Sequence, residues 1–178
     1  ERLGIQFYDS ELVYLTAAQS GLTPDYIRRH EQQLASRFLY ELYAQNYAYT
    51  AEEQPPEDAT FLAQSKVIRD IAAKHACVIV GRCADYVLKG DPSVIRVFIY
   101  ADDETCVKNA AEVKGIVDRK EALKTIAATD KERAAYYKAH TGREWIDARN
   151  YDLCLNSGDL GFEKCVDIIT DFIKIKLG

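Results

Sequence analysis

No methionine occurs among the 178 residues, tryptophan occurs once, histidine three times and proline four times. His30, His75 and His140 lie far apart in the chain, and none accompanies a plausible nucleophile. That argues against triad-type hydrolase chemistry. The five cysteines (Cys77, Cys83, Cys106, Cys154, Cys165) form no C-x-x-C pair and have no histidine at zinc spacing. Several sit in apolar runs, where a free thiol acts as a small hydrophobe. The expectation is a reduced, cytoplasmic protein. No apolar run approaches the roughly 20 residues of a membrane span, and no secretory pattern opens the chain. The net charge is −5 without a long basic run. A polymeric nucleic-acid partner is therefore not expected, while a nucleotide remains compatible.

The chain opens on ERLG, which reads as the last turn of a helix stopped by Gly4. Two expectations follow: residues precede Glu1 in the natural protein, and methionines have dropped out of the chain as written. What is present centres on residues 77–101, CVIVGRCADYVLKGDPSVIRVFIYA. Two short apolar runs, 77–80 and 94–100, read as strands buried on both faces, as in a parallel sheet covered by helices. Between them Gly81 ends the first strand and Gly90 stops a short helical segment.

Elsewhere strands and helices alternate, which implies βαβ crossovers. Residues 5–8 read as a strand, ended by Asp9-Ser10, and a helix follows to Gly21. Thr23-Pro24-Asp25 starts another helix. Residues 51–60, acidic with two prolines, read as an exposed mobile loop, and residues 61–76 as an amphipathic helix buried through Leu62, Val67, Ile68 and Ile71. Acids at 102–104 start a helix that runs to Gly115, and Asp118 starts the next. Thr129-Asp130-Lys131-Glu132 fits a capping box, so a fresh helix is expected there, ending at Gly142. Residues 143–150 read as loop and 151–155 as a last strand. A turn at 156–158 then leads into a final amphipathic helix.

Three features could carry chemistry. Asp9-Ser10 lies at the carboxyl end of a strand, where a carboxylate holds magnesium through its waters or accepts from a substrate hydroxyl; the same pair equally reads as a helix cap. Arg82 lies at the carboxyl end of the central strand, the edge where open α/β sheets bind ligands. There its planar fork suits phosphate, or it pairs with an acid such as Asp85. Asp130, Arg133 and Tyr137 share one helical face, as a phosphate-binding group or as a plain surface ion pair. Phosphoryl transfer would employ all three, because its transition state asks mainly for positioning and cationic stabilisation. On that reading Arg82 and Arg133 serve one anion at the sheet's rim, the second on a closing arm.

The strings VIVGRCADYVL, VFIYAD, DKERAAYY with a following TG, and YDLCLNSGDLG, in that order, resemble the cytidylate kinase-like family of nucleoside monophosphate kinases. GIQFYD followed by a helix is similar to that family's second strand. The resemblance implies one α/β domain over residues 1–178, three-layer α/β/α with a parallel five-stranded sheet, its first strand and phosphate-binding loop falling before Glu1. It also implies an acceptor-side helical arm and loop over 22–60 and a helical lid over 115–147. The implied reaction moves the γ-phosphate of ATP, with Mg2+, to a nucleoside monophosphate, CMP or dCMP by default. The implied partners are small-molecule nucleotides, with no membrane and no nucleic-acid polymer; a homo-oligomer is compatible. Carried across, Arg82 binds the acceptor phosphate and Arg133 reaches the transferred phosphoryl group. Asp130 and Tyr137 belong to the same lid, and Asp9 and Ser10 lie at the acceptor and magnesium side, with no residue assigned as a direct metal ligand. One departure bears on the acceptor. Ser10 is followed by Glu11-Leu12-Val13-Tyr14-Leu15, with no arginine before Arg28, where the family has a glycine and soon afterwards an arginine. A kinase-like binding or regulatory module without catalysis, and a kinase for another small-molecule acceptor, are the alternatives.

Overall fold

The computed structural model describes residues 2–9 and 56–178. They fall into two units that divide after Lys89. The helices expected after Ser10 and Thr23, and the arm up to residue 55, lie outside the described residues.

In the first unit, β1 (Gln6–Tyr8) pairs in parallel with β2 (Cys77–Ile79), Phe7 opposite Val78. The long helix α1 (Pro56–Lys74) precedes β2, and the short α2 (Ala84–Val87) follows it. Half of the expected loop at 51–60 is thus helix. Proline at the first helical position costs nothing, since its missing N–H would have had no intrahelical partner. Residues 51–55 lie outside the described residues. Val67, Ile68 and Ile71 recur at helical spacing and pack with Ala84 and Val87, with Tyr8, Cys77 and Ile79 against them. Ile68 is wholly buried, which contributes roughly 2–3 kcal/mol relative to leaving it in water. Successive strand residues face opposite ways, so this core covers one face of β1 and β2. On the other face Phe7 is 56% and Val78 43% exposed. The expectation of a strand buried on both faces is corrected here: the apolar run is right, the second cover is not supplied within this unit's described residues.

The second unit contains β3 (Val97–Tyr100), α3 (Asp103–Lys114), α4 (Arg119–Thr141), a single 3-10 turn (Ala148–Asn150), β4 (Leu153–Asn156) and α5 (Ser157–Leu177). β3 and β4 are parallel, Val97 opposite Leu153 and Tyr100 opposite Asn156. Asp102 and Asp118 cap α3 and α4, accepting from Thr105 N at 2.8 Å and Glu121 N at 2.7 Å. Gly115 and Gly142 end them in the left-handed conformation, each at φ 68°, as a helix stop requires.

Two expectations need correction. No new helix starts at Thr129: α4 runs through it, and the Thr129 hydroxyl donates back to the Thr125 carbonyl at 2.8 Å. A threonine at mid-helix has that acceptor one turn behind it, so the capping-box pattern is satisfied without a cap. No turn separates β4 from α5. Asn156 itself caps the helix, its Oδ1 accepting from Gly158 N at 3.0 Å, and the break comes later, at Gly161 (φ 75°, ψ 163°). Of the five-stranded parallel sheet that the resemblance implies, the described residues show two two-stranded parallel pairs, one in each unit. Apolar runs locate strands, but which strands pair is set by tertiary packing.

Two local features fix the second unit. Arg96 clamps Asp152 through Nε and Nη2, both at 3.0 Å, and through its main-chain N at 2.8 Å. Lys176, near the end of α5, joins at 3.3 Å and also donates to the Val94 carbonyl at 2.9 Å. These donors, Arg96 first, hold the Asp152 carboxyl well below the usual carboxylate range. At the opposite end of the strands, Gly158 lies where an added Cβ would meet Asp102 Oδ2 at 3.0 Å and Thr105 Oγ1 at 3.2 Å.

Candidate active site

Arg82 sits where β2 ends. Val80 N donates to the Tyr8 carbonyl at 2.9 Å, so both strands leave the sheet together, and Asp9 and Gly81-Arg82 emerge from one carboxyl edge. There the backbone does something the residue types do not invite. Gly81, Arg82 and Cys83 lie in succession at φ 74°, 54° and 54°. Glycine adopts this freely, but arginine and cysteine do so at a cost of about 1–3 kcal/mol each. The turn is held by its surroundings: Ala84 N donates to the Gly81 carbonyl at 3.1 Å, and Val87 N to the Cys83 carbonyl at 2.9 Å. Cys83, 4% exposed, is seated inside the core. Burial, with a lesser push from Asp85, raises its thiol to about 12 against the opposing field of Arg82. Its burial makes it an anchor for the turn. Its neighbour Arg82 is left half-buried at the rim.

In the second unit Asp130 and Arg133 share a face of α4, with Arg133 Nη1 3.0 Å from Asp130 Oδ1. The Arg133 side chain is 60% exposed. Tyr137, one turn further, is 4% exposed and belongs to the interior. The three residues sharing a face on paper therefore divide into an accessible cation with its acid and a packing residue. Asp9 is exposed; Ser10 lies outside the described residues. Arg82 falls in the first unit and Asp130, Arg133 and Tyr137 in the second.

Trp145, in the stretch expected as loop, has no role that the sequence pattern points to. The Arg133 guanidinium carbon stands 5.9 Å from the centre of its indole ring. Its only signal was rarity, as the single tryptophan of the chain. Arg143 was likewise unremarked; it is half-buried and directs Nη1 to Asn150 Oδ1 at 3.4 Å. Among the described residues no three His, Cys, Asp or Glu side chains gather as a metal site. No helix among them is long and apolar enough to cross a membrane.

The sequence pattern of the cytidylate kinase-like family matches residues 1–159. The chain belongs to the cytidylate kinase-like family. That membership gives it a nucleotide kinase-like character at the level of the family. Within this cytidylate kinase-like chain, both strand pairs and all the site residues named above fall in the matched span. A crystal structure of an uncharacterized protein from Eubacterium ventriosum ATCC 27560 is similar over 96% of both chains, with 27% identity and a TM-score of 0.63. No curated protein matches.

Proposed function

We propose that this cytidylate kinase-like chain transfers the γ-phosphate of ATP to a nucleoside monophosphate, with CMP or dCMP as acceptor. The observation that carries the reading is the strained turn at Arg82. A sequence holds a non-glycine residue at positive φ only where its surroundings over-determine it, and such residues gather at ligand sites. Here the strained residue is an arginine at the carboxyl edge of a parallel strand pair, where phosphate recognition calls for a planar two-pronged donor. Arg82 takes the acceptor phosphate. Arg133, long and accessible on α4, supplies positive charge to the phosphoryl group in transfer, where it is worth most. Magnesium fits this chain as an ion carried largely by nucleotide phosphates and water, with Asp9 a carboxylate at that edge to receive it. It would neutralise phosphate charge.

The test is turnover by the full-length protein with ATP, Mg2+ and a panel of monophosphates, CMP, dCMP, UMP and AMP. We expect CMP or dCMP to be phosphorylated, and Arg82→Ala to lose at least about 100-fold in kcat/KM, in line with the cost of removing one charge-stabilising donor. Turnover of none of them, or an Arg82→Ala variant as active as the parent, overturns the reading.

A further inference from the structure

The contact between Arg133 and Trp145 rests on no feature that the proposed reaction required, and the surroundings of the indole are what make it informative. An exposed arginine on a helix carries considerable rotamer entropy. An exposed pair with an acid three residues back restrains it only weakly. Arg133 has a second restraint from outside its helix, the face of Trp145, at a distance where cation and ring attract.

That ring is itself fixed. It stands edge-to-face with the Phe98 ring of β3, the centroids 5.5 Å apart at 87°, a favoured aromatic geometry. Phe98 in turn stacks with Tyr151 at 4.9 Å. The Tyr151 hydroxyl donates to the Trp145 carbonyl at 2.6 Å, which pins the backbone that bears the indole. A closed set of contacts thus runs from the sheet, through Phe98 and Tyr151, to a rigid platform under one accessible guanidinium. A side chain with no task beyond solubility does not need one.

We infer that Trp145 is a positioning residue: its indole face preorganises Arg133 for the phosphate-bearing ligand, while Asp130 holds the charge until that ligand displaces it. Removing the platform leaves the cation in place but lets it wander. The loss therefore falls on kcat, where the charge is needed, more than on KM for the acceptor. The inference rests on the role given to Arg133 above, and the experiment separates the two.

Two measurements decide it. In steady-state kinetics Trp145→Leu should lower kcat about fivefold with acceptor KM within twofold, and Trp145→Phe, which keeps a ring face, should recover most of the loss. That size follows from about 1 kcal/mol for the contact. Equal rates in all three proteins overturn the inference. So does a Phe variant as slow as Leu with an equal fall in Tm, since that marks a packing role. The second readout uses the chain's single tryptophan as its own reporter. Titration with ATP should change indole emission in the parent and not in Arg133→Gln. If no monophosphate turns over, the proposed reaction falls while this optical test still stands: an ATP response lost in Arg133→Gln supports the platform, and identical titrations in both proteins overturn it.

Discussion

At the scale of single residues, the turn at 81–83 combines local cost with external support. Arg82→Gly and Arg82→Ala remove the same guanidinium, but only glycine is at ease at φ 54°. We expect the glycine variant to be more stable than the alanine variant by about 1 kcal/mol, read as a difference in Tm, with both inactive. Equal Tm values would show that the strain is not there. Cys83 yields a second prediction. With its thiol buried and pushed up to about 12, it should resist iodoacetamide at pH 8 in the folded protein, while exposed Cys154 is alkylated, as peptide mass mapping will show. The place of Arg82 was legible in the sequence, because an apolar run followed by glycine marks a strand end. Its left-handed backbone was not, since side-chain sterics oppose that conformation and only the packing of Cys83 and α2 imposes it. Trp145 was illegible for a related reason: a ring 12 residues along from Arg133 becomes its neighbour only once β3 and Tyr151 fix the intervening segment.

Among the elements, helix ends were read well and helix continuity less so. Asp102 and Asp118 accept from main-chain groups three residues on, and Gly115 and Gly142 donate to carbonyls four residues back, so their signals survive without tertiary context. Thr129 carries the same kind of signal, but the helix around it satisfies its hydroxyl. The two threonine readings differ in sign. Were Thr129 a cap, alanine there would cost about 1 kcal/mol. At the interior of α4, Thr129→Ala should leave Tm unchanged or raise it slightly, because alanine is the better helix former. Asp118→Ala, at the true cap, should lower stability by about 1 kcal/mol. Thermal melts of the two variants side by side test both assignments. Pro56 teaches a parallel lesson: two prolines and acids suggest a loop, yet the second proline is an acceptable first helical residue.

For the molecule as a whole, the alternation of apolar runs with amphipathic segments was enough to infer mixed α/β structure with parallel strands. The number of strands in a sheet was not, because three- and four-residue strands carry no record of their partners. Resistance to acid is expected to depend on the Arg96–Asp152 clamp. The Asp152 carboxyl is held below its ordinary range in the folded protein. Its contribution is therefore complete above the unfolded value of about 3.9 and is lost as pH falls through the lower folded value. Asp152→Asn should cost roughly 1–3 kcal/mol at pH 7, as expected for charged hydrogen bonds that are only partly exposed. The gap between variant and parent should narrow below about pH 4. A gap that stays constant from pH 7 to pH 2 would show that the carboxylate charge contributes nothing.

Gly158 has a consequence of its own. Around it the cap of α3 and the opening turn of α5 crowd into one small volume, and a single methyl carbon would touch a carboxylate oxygen and a hydroxyl at once. Two helices that are 54 residues apart along the chain at their first residues thus begin at a shared threshold. Neither first turn can shift there without the other making way.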